Sequence, residues 1–183
     1  MPDNETALLI MDVQEEIADR YAGGDLLERL GRAAAAARRA GVSVIYVEVE
    51  FRPGYPEISR RNRSFSRITE SREFINSKVH AAIAPQPGDI EIVKKRVSAF
   101  AGSDLELVLR AREIRTLVLS GIATSGVVLS TLRAATDMDF QLIVLEDCCA
   151  DNDPEVHRLL TEKIFRRQAE VLDVESWERR LFA

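Results

Sequence analysis

A three-layer α/β domain, with a six-stranded parallel sheet covered by helices on both faces, is predicted by two observations. Six apolar runs of strand length recur along the 183 residues, and segments with one apolar helical face separate most of them. Parallel strands need crossover connections, and strands buried on both faces read as near-continuous apolar runs, so the order of elements and their composition predict the same architecture. The length suits one domain spanning 1–183.

The strands are expected at residues 7–11, 42–49, 90–93, 116–119, 142–145 and 171–174. The first run, Ala7-Leu8-Leu9-Ile10-Met11, has no polar break. Helices are expected at 26–40, 70–83, 104–114, 125–136 and 154–168, with spacings such as Leu105, Val108 and Leu109 marking an apolar face. Asp25 and Ser103 stand where helix N-caps belong, Gly41 where a helix ends, and Asp153-Pro154 where a cap precedes a first-turn proline. Residues 51–67, FRPGYPEISRRNRSFSR, break the pattern with two prolines, a glycine and no clean period, and read as a long irregular excursion from the second strand.

Composition excludes several function classes. With 46% hydrophobic and 30% charged residues the chain reads as globular and ordered. The net charge of -5 argues against general nucleic-acid binding, which needs a dense basic surface. No apolar stretch approaches the roughly 20 residues that span a bilayer, and the acidic start, Met1 to Thr6, lacks a basic leader region. The only two cysteines, Cys148 and Cys149, are adjacent, a poor arrangement for a disulfide. A cytoplasmic protein acting on a small molecule, without membrane or nucleic-acid partners, is expected.

In Rossmann-like open sheets, ligands bind beyond the carboxyl ends of the strands, where strand order reverses. The first strand runs into Asp12 and Gln14, the third into Lys94, Lys95 and Arg96, and the fifth into Glu146 and Asp147. The fourth runs into the turn GIATSGVVLSTL, 121–132, where Ala123, Thr124, Ser125 and Gly126 offer small side chains and backbone amides to a ligand. Asp12 is a candidate acid or base, and Lys94 a candidate charge beside it. Each has an ordinary reading too, as a turn carboxylate and a solvated strand-end charge. Val127 and Val128 stand where a phosphate-binding loop would need Lys and Ser or Thr, so a nucleotide P-loop is excluded. Five arginines between Arg52 and Arg67 face the single acid Glu57, and they read as a solvated loop, a subunit contact or a lid for a small anion. His80 and His157 fall in helical patterns, far in sequence from the cysteines, so neither a thiol nucleophile nor a metal centre is expected, and no cofactor.

Four stretches in this order resemble the isochorismatase-like hydrolases, also called cysteine hydrolases: LLIMDVQ, VKKRVSAF followed by GSDLE, LVLSGIATSGVVLSTLRAA and VLEDCCAD. The resemblance runs from about Thr6 to Val174 and implies the six-stranded sheet already described, with frequent oligomerisation, so a homo-oligomer is expected. It implies that Asp12 and Lys94 belong to the catalytic group and that Val127 occupies the position of the usual cysteine. It further implies a cis peptide before Ala123. The true isochorismatases are similar in lacking the cysteine; they use the Asp as a general acid on a vinyl ether, and carry Gly where this chain has Val127. The resemblance thus implies hydrolysis of a small, anionic substrate without a thioester, with the turn residues Ala123, Thr124, Ser125 and Gly126 around the substrate; Gln14, at the end of the first strand, and Arg52, in the arginine-rich stretch, are expected there on their positions. The alternative is a binding or interaction protein on the same scaffold.

Overall fold

The computed structural model describes residues 4–21 and 25–183. Its six strands are β1 (Thr6–Met11), β2 (Ser43–Val49), β3 (Ile90–Lys94), β4 (Thr116–Ile122), β5 (Gln141–Ala150) and β6 (Glu170–Leu172). All pair in parallel, in the order β3-β2-β1-β4-β5-β6. The chain winds outward from β1 through β2 to β3, then returns to the other side of β1 with β4. The strand order therefore reverses between β1 and β4, the predicted place for a ligand.

Alternate strand residues feed two cores. Leu9, Met11, Ile45, Val47, Leu117, Leu119 and Val144 face α4 (Leu105–Ala111), α5 (Leu129–Asp137) and Phe165. Leu8, Ile10, Val44, Tyr46, Val118 and Leu145 face α2 (Leu26–Ala40) and α7 (Val174–Leu181). The face of α2 is mostly alanine, with Ala33, Ala34, Ala36 and Ala37 buried, so the helix backbone lies close to the sheet. Gly41 ends α2 in the left-handed conformation, as expected. Among the described residues, no helix is long and apolar enough to cross a membrane.

Several expectations need correction. The helix predicted at 70–83 is not there; α3 covers Arg63–Ser71 instead, beginning inside the stretch read as irregular and ending just past the predicted start. Asn62 caps it by accepting from Phe65 N at 3.2 Å, and Arg72 stops it at φ 59°. Phe65 sets the register by packing edge-on to Phe51, 5.9 Å between ring centroids, within a separate cluster that includes Val49, Tyr55 and Phe74. Local turns with positive φ at Phe74 and Asn76 follow, and only Ala81–Ile83 forms a single 3-10 turn. The excursion is thus a folded subunit of the core, built around aromatic burial.

Two helices lacked a clear sequence signal: α1 (Glu15–Tyr21) and α7, whose start was read as the end of the sixth strand. Asp173 caps α7, accepting from Ser176 N at 2.6 Å. The helix expected at 154–168 begins as predicted, with Asp153 accepting from Glu155 and Val156 N, but α6 is regular only over Pro154–Leu159. It continues through a π turn, Leu160–Ile164, into a 3-10 turn, Phe165–Arg167. Asp25 makes no side-chain cap; its carboxylate pairs with Arg29 at 3.2 Å. Ser103 does accept from Leu105 N, at 3.3 Å.

Candidate active site

Three sequence-distant segments meet at the carboxyl ends of the strands. Asp12 leaves β1 in the left-handed conformation, φ 56°, with its amide donating to Val47 O at 2.8 Å. A non-glycine residue held there is uncommon, although Asp tolerates it better than most. Lys94 ends β3, two strands away, and its long side chain crosses the end of β2 to place Nζ 2.8 Å from Asp12 Oδ2. The ammonium also donates to the carbonyls of Arg96 at 2.9 Å and Val97 at 3.0 Å. Its three protons therefore have three acceptors. Lys94 is 2% and Asp12 7% exposed, so the ion pair is sheltered from water.

Burial, opposed by the charge and hydrogen bond of Lys94, raises the Asp12 carboxyl from 3.8 to about 6. The desolvation of the ionised form exceeds the stabilisation by one neighbouring cation. The second carboxyl oxygen, Oδ1, is buried and has no hydrogen-bond partner among the described residues.

The SAF motif fastens this arrangement to the neighbouring turn. Ala99 is fully buried, its amide donates to Thr131 Oγ1 in α5 at 2.9 Å, and its carbonyl accepts from Ser103 Oγ at 2.6 Å. The loop that supplies carbonyls to Lys94 is thus tied to the helix that follows the β4 turn.

That turn starts from a cis peptide between Ile122 and Ala123. Thr124–Val128 forms one π-helical turn that leads into α5. Thr124 is fully buried and Val127 is 2% exposed, its side chain part of the core under α5. Several turn amides are already engaged: Ser125 N donates to Asp151 Oδ2 at 2.7 Å, and Gly126 and Val128 N to Ala123 O at 3.0 and 3.3 Å. An anion nest made from those three amides is therefore not formed, because the turn closes on itself and on Asp151, just after β5.

The other predicted residues do different work. Gln14 is fully buried, and its amide group both donates to Val49 O at 3.0 Å and accepts from Val49 N at 2.8 Å. It stitches β1 to the end of β2. Arg52 is exposed and pairs with Glu57 at 2.5 Å, with no contact to Asp12 or Lys94 among the described residues. Arg96 reaches the excursion, donating to Glu57 O at 2.8 Å and lying over the Phe65 ring at 5.7 Å. Asp147, on β5, accepts from Val174 N, the first residue of α7, at 2.9 Å. Cys148 and Cys149 are buried; desolvation drives the Cys148 thiol far up and raises Cys149 from 9.0 to about 12, so neither supplies thiolate at neutral pH. Among the described residues, no group of three or more His, Cys, Asp and Glu is arranged to hold a metal ion.

Two contributors had little sequence signal. Asp151 was passed over because β5 continues five residues past the end of its apolar run at Leu145, after a register shift against β4 between Leu119 and Gly121. His157, read as a helix-face residue, places Nδ1 2.8 Å from Thr124 Oγ1. A cavity of about 810 Å³ opens at the opposite end of the sheet, lined by Glu5, Thr116, Arg167 and Trp177, and does not include Asp12 or Lys94.

Glu48, on β2, is a second buried carboxylate, 8% exposed. Burial, aided by Glu91 and Glu50, raises it from 4.5 to about 7. The folded state thus retains a proton that the unfolded chain has released, and stability falls as pH rises from about 4.5 to about 7. Glu48→Gln removes that loss. Its melting temperature at pH 8 is expected to exceed wild type by roughly 2–4 °C for each kcal/mol recovered. Equal melting temperatures for the two proteins from pH 5 to 8 would contradict the assignment.

Residues 6–176 match the Isochorismatase domain family. The isochorismatase family protein YecD of Escherichia coli O157:H7 is 36% identical over 179 residues, covering 93% of each chain. The ureidoacrylate amidohydrolase RutB of Methylorubrum extorquens strain DM4 is 34% identical over 176 residues, covering 81% of this chain and 71% of the relative. A crystal structure of a cysteine hydrolase from Pseudomonas syringae pv. phaseolicola 1448A superposes with a TM-score of 0.88 at 25% identity, covering 100% of this chain and 95% of the other. With its six-stranded parallel sheet and a domain match that spans nearly the whole chain, the protein belongs to the isochorismatase family.

Proposed function

We propose that this hydrolase-family member acts by acid–base chemistry on a small, anionic substrate, without a covalent cysteine intermediate. The observation that carries the reading is the pair formed by Asp12 and a Lys94 whose three protons are all engaged. Lys94 fixes and partly neutralises the carboxylate, while Oδ1 remains free to give or take a proton. Val127 stands in the turn without a group able to attack, and both thiols are buried.

A vinyl ether of pyruvate suits this equipment. Asp12 in its acid form donates a proton to the terminal vinyl carbon, giving an oxocarbenium ion. Water adds to the neighbouring carbon, the one that carries the ether oxygen, and returns a proton to the Asp12 carboxylate. The resulting hemiketal then breaks its bond to the departing alcohol and releases pyruvate. The ureidoacrylate amidohydrolase relatives bring ureido acids into the same test, where water would attack the carbonyl directly.

The experiment is turnover of isochorismate and of a panel of small vinyl-ether and ureido acids by wild type, before and after thiol alkylation. Hydrolysis insensitive to alkylation, and retained in Cys148→Ala and Cys149→Ala, is expected. A covalent acyl-enzyme adduct on either cysteine would overturn the proposal. The near-complete burial of Asp12, Lys94, Thr124 and Val127 favours a second reading, a binding protein with no turnover. Calorimetric binding of a panel acid to both wild type and Asp12→Ala, with no product from either, would support that second reading.

A further inference from the structure

The active-site turn is held from outside by the segment that follows β5. Asp151 accepts from Ser125 N, and six residues later His157, in α6, brings Nδ1 to 2.8 Å from the Thr124 hydroxyl. Thr124 is fully buried, and among the described residues its hydroxyl has no other hydrogen-bond partner. A buried hydroxyl must place its single hydrogen on an acceptor, since an unpaired buried donor is penalised by lost hydration. If His157 Nδ1 carried a proton and donated it, the Thr124 hydrogen would have no acceptor. The bond therefore runs from Thr124 to a bare Nδ1, which requires a neutral imidazole with its hydrogen on Nε2.

The location gives this bond a function. β1 and β4 are paired, with Met11 opposite Gly121, so the turn after β4 begins beside Asp12. Thr124 opens a π-helical turn, whose wider hydrogen-bond spacing departs from the regular i to i−4 ladder. Side-chain ties from Asp151 and His157 supply external restraint at its first two residues. Asp153 caps α6 and so fixes the helix that carries the imidazole.

We propose that His157 is a positioning residue of the active site, acting as the Nε2–H tautomer that accepts the Thr124 hydroxyl and sets the turn beside Asp12. The inference rests on the acid–base reading for its effect on turnover, and on geometry alone for the tautomer. Neither nitrogen contacts Asp12 or Lys94, and the residue takes no part in proton transfer to substrate.

The test combines imidazole nitrogen NMR of wild type with three variants. At pH 7.5 the spectrum is expected to show a bare Nδ1 and a protonated Nε2; a protonated Nδ1 would overturn the inference. His157→Leu is expected to raise amide hydrogen exchange at 125–129 at least tenfold while leaving α2 unchanged, and to lower kcat at least tenfold. His157→Asn, which keeps an acceptor near the position of Nδ1, is expected to recover kcat to within about threefold of wild type. Thr124→Val is expected to match His157→Leu, and the double variant to be no worse than either, since both remove one bond. Asn as impaired as Leu, or losses that multiply, would also overturn it. If wild type turns over no substrate, the acid–base reading fails by itself, and the tautomer and exchange results still decide the role of His157. If His157→Leu does not fold, the wild-type spectrum and Thr124→Val carry the decision.

Discussion

Asp12→Asn is expected to lower kcat/KM by about 10²–10⁴, the usual range for losing a positioned proton-transfer group. Asn keeps the shape of the side chain and an oxygen able to accept from Lys94, so the variant tests proton transfer with little change in packing. The pH profile carries a further sign. Because burial raises the Asp12 carboxyl to about 6, the acid form predominates below that pH, and a general acid loses activity as pH rises through it. Wild-type kcat/KM is expected to fall above about pH 6, and this limb should vanish in Asp12→Asn. Lys94→Met should move the limb to higher pH, since Lys94 is the group that lowers the Asp12 value. Wild-type activity that rises through pH 6 would instead make Asp12 a base, and unchanged turnover in Asp12→Asn would remove it from the chemistry.

Gly121→Ala is expected to destabilise the protein by more than about 4 kcal/mol, the range reserved for a few severe mechanisms. Gly121 has φ +133°, a region L side chains rarely adopt, and a Cβ there would overlap the Met11 carbonyl oxygen and lie 2.8 Å from Met11 C and N. The obstacle is backbone in the central β1–β4 pair, so no side-chain rotation relieves it. Urea unfolding of the two proteins measures the difference; a loss below about 1 kcal/mol would mean that β1 and β4 can separate without cost. The same shift would carry Asp12 away from the turn, so loss of activity should accompany the loss of stability.

The sheet was legible because its signal is one-dimensional. Uninterrupted runs such as Ala7 to Met11 can be buried only between two helical layers, and the alternation with helices leaves few topologies. Asp12 and Lys94 were legible as polar residues at strand ends and through the motifs around them. The excursion was not, because α3 owes its place to Phe65 packing on Phe51, a contact between elements. Asp151 and His157 were missed for the same reason: each acts on the turn from a distant part of the chain, just after β5 and in α6, across 26 and 33 residues of sequence.

The roles at the strand ends also separate along this line. By itself the sequence determined the α/β class, the two charged residues at the ends of β1 and β3, and the presence of Val127 in the turn after β4. Only the tertiary structure decided that Lys94 spends its protons on Asp12 and two carbonyls, that Gln14 serves Val49, and that Arg52 turns to Glu57. Residue type and spacing set which groups are available and on which strand they ride; burial and hydrogen-bond partners, which set charge state and reach, depend on what the remaining chain packs against them.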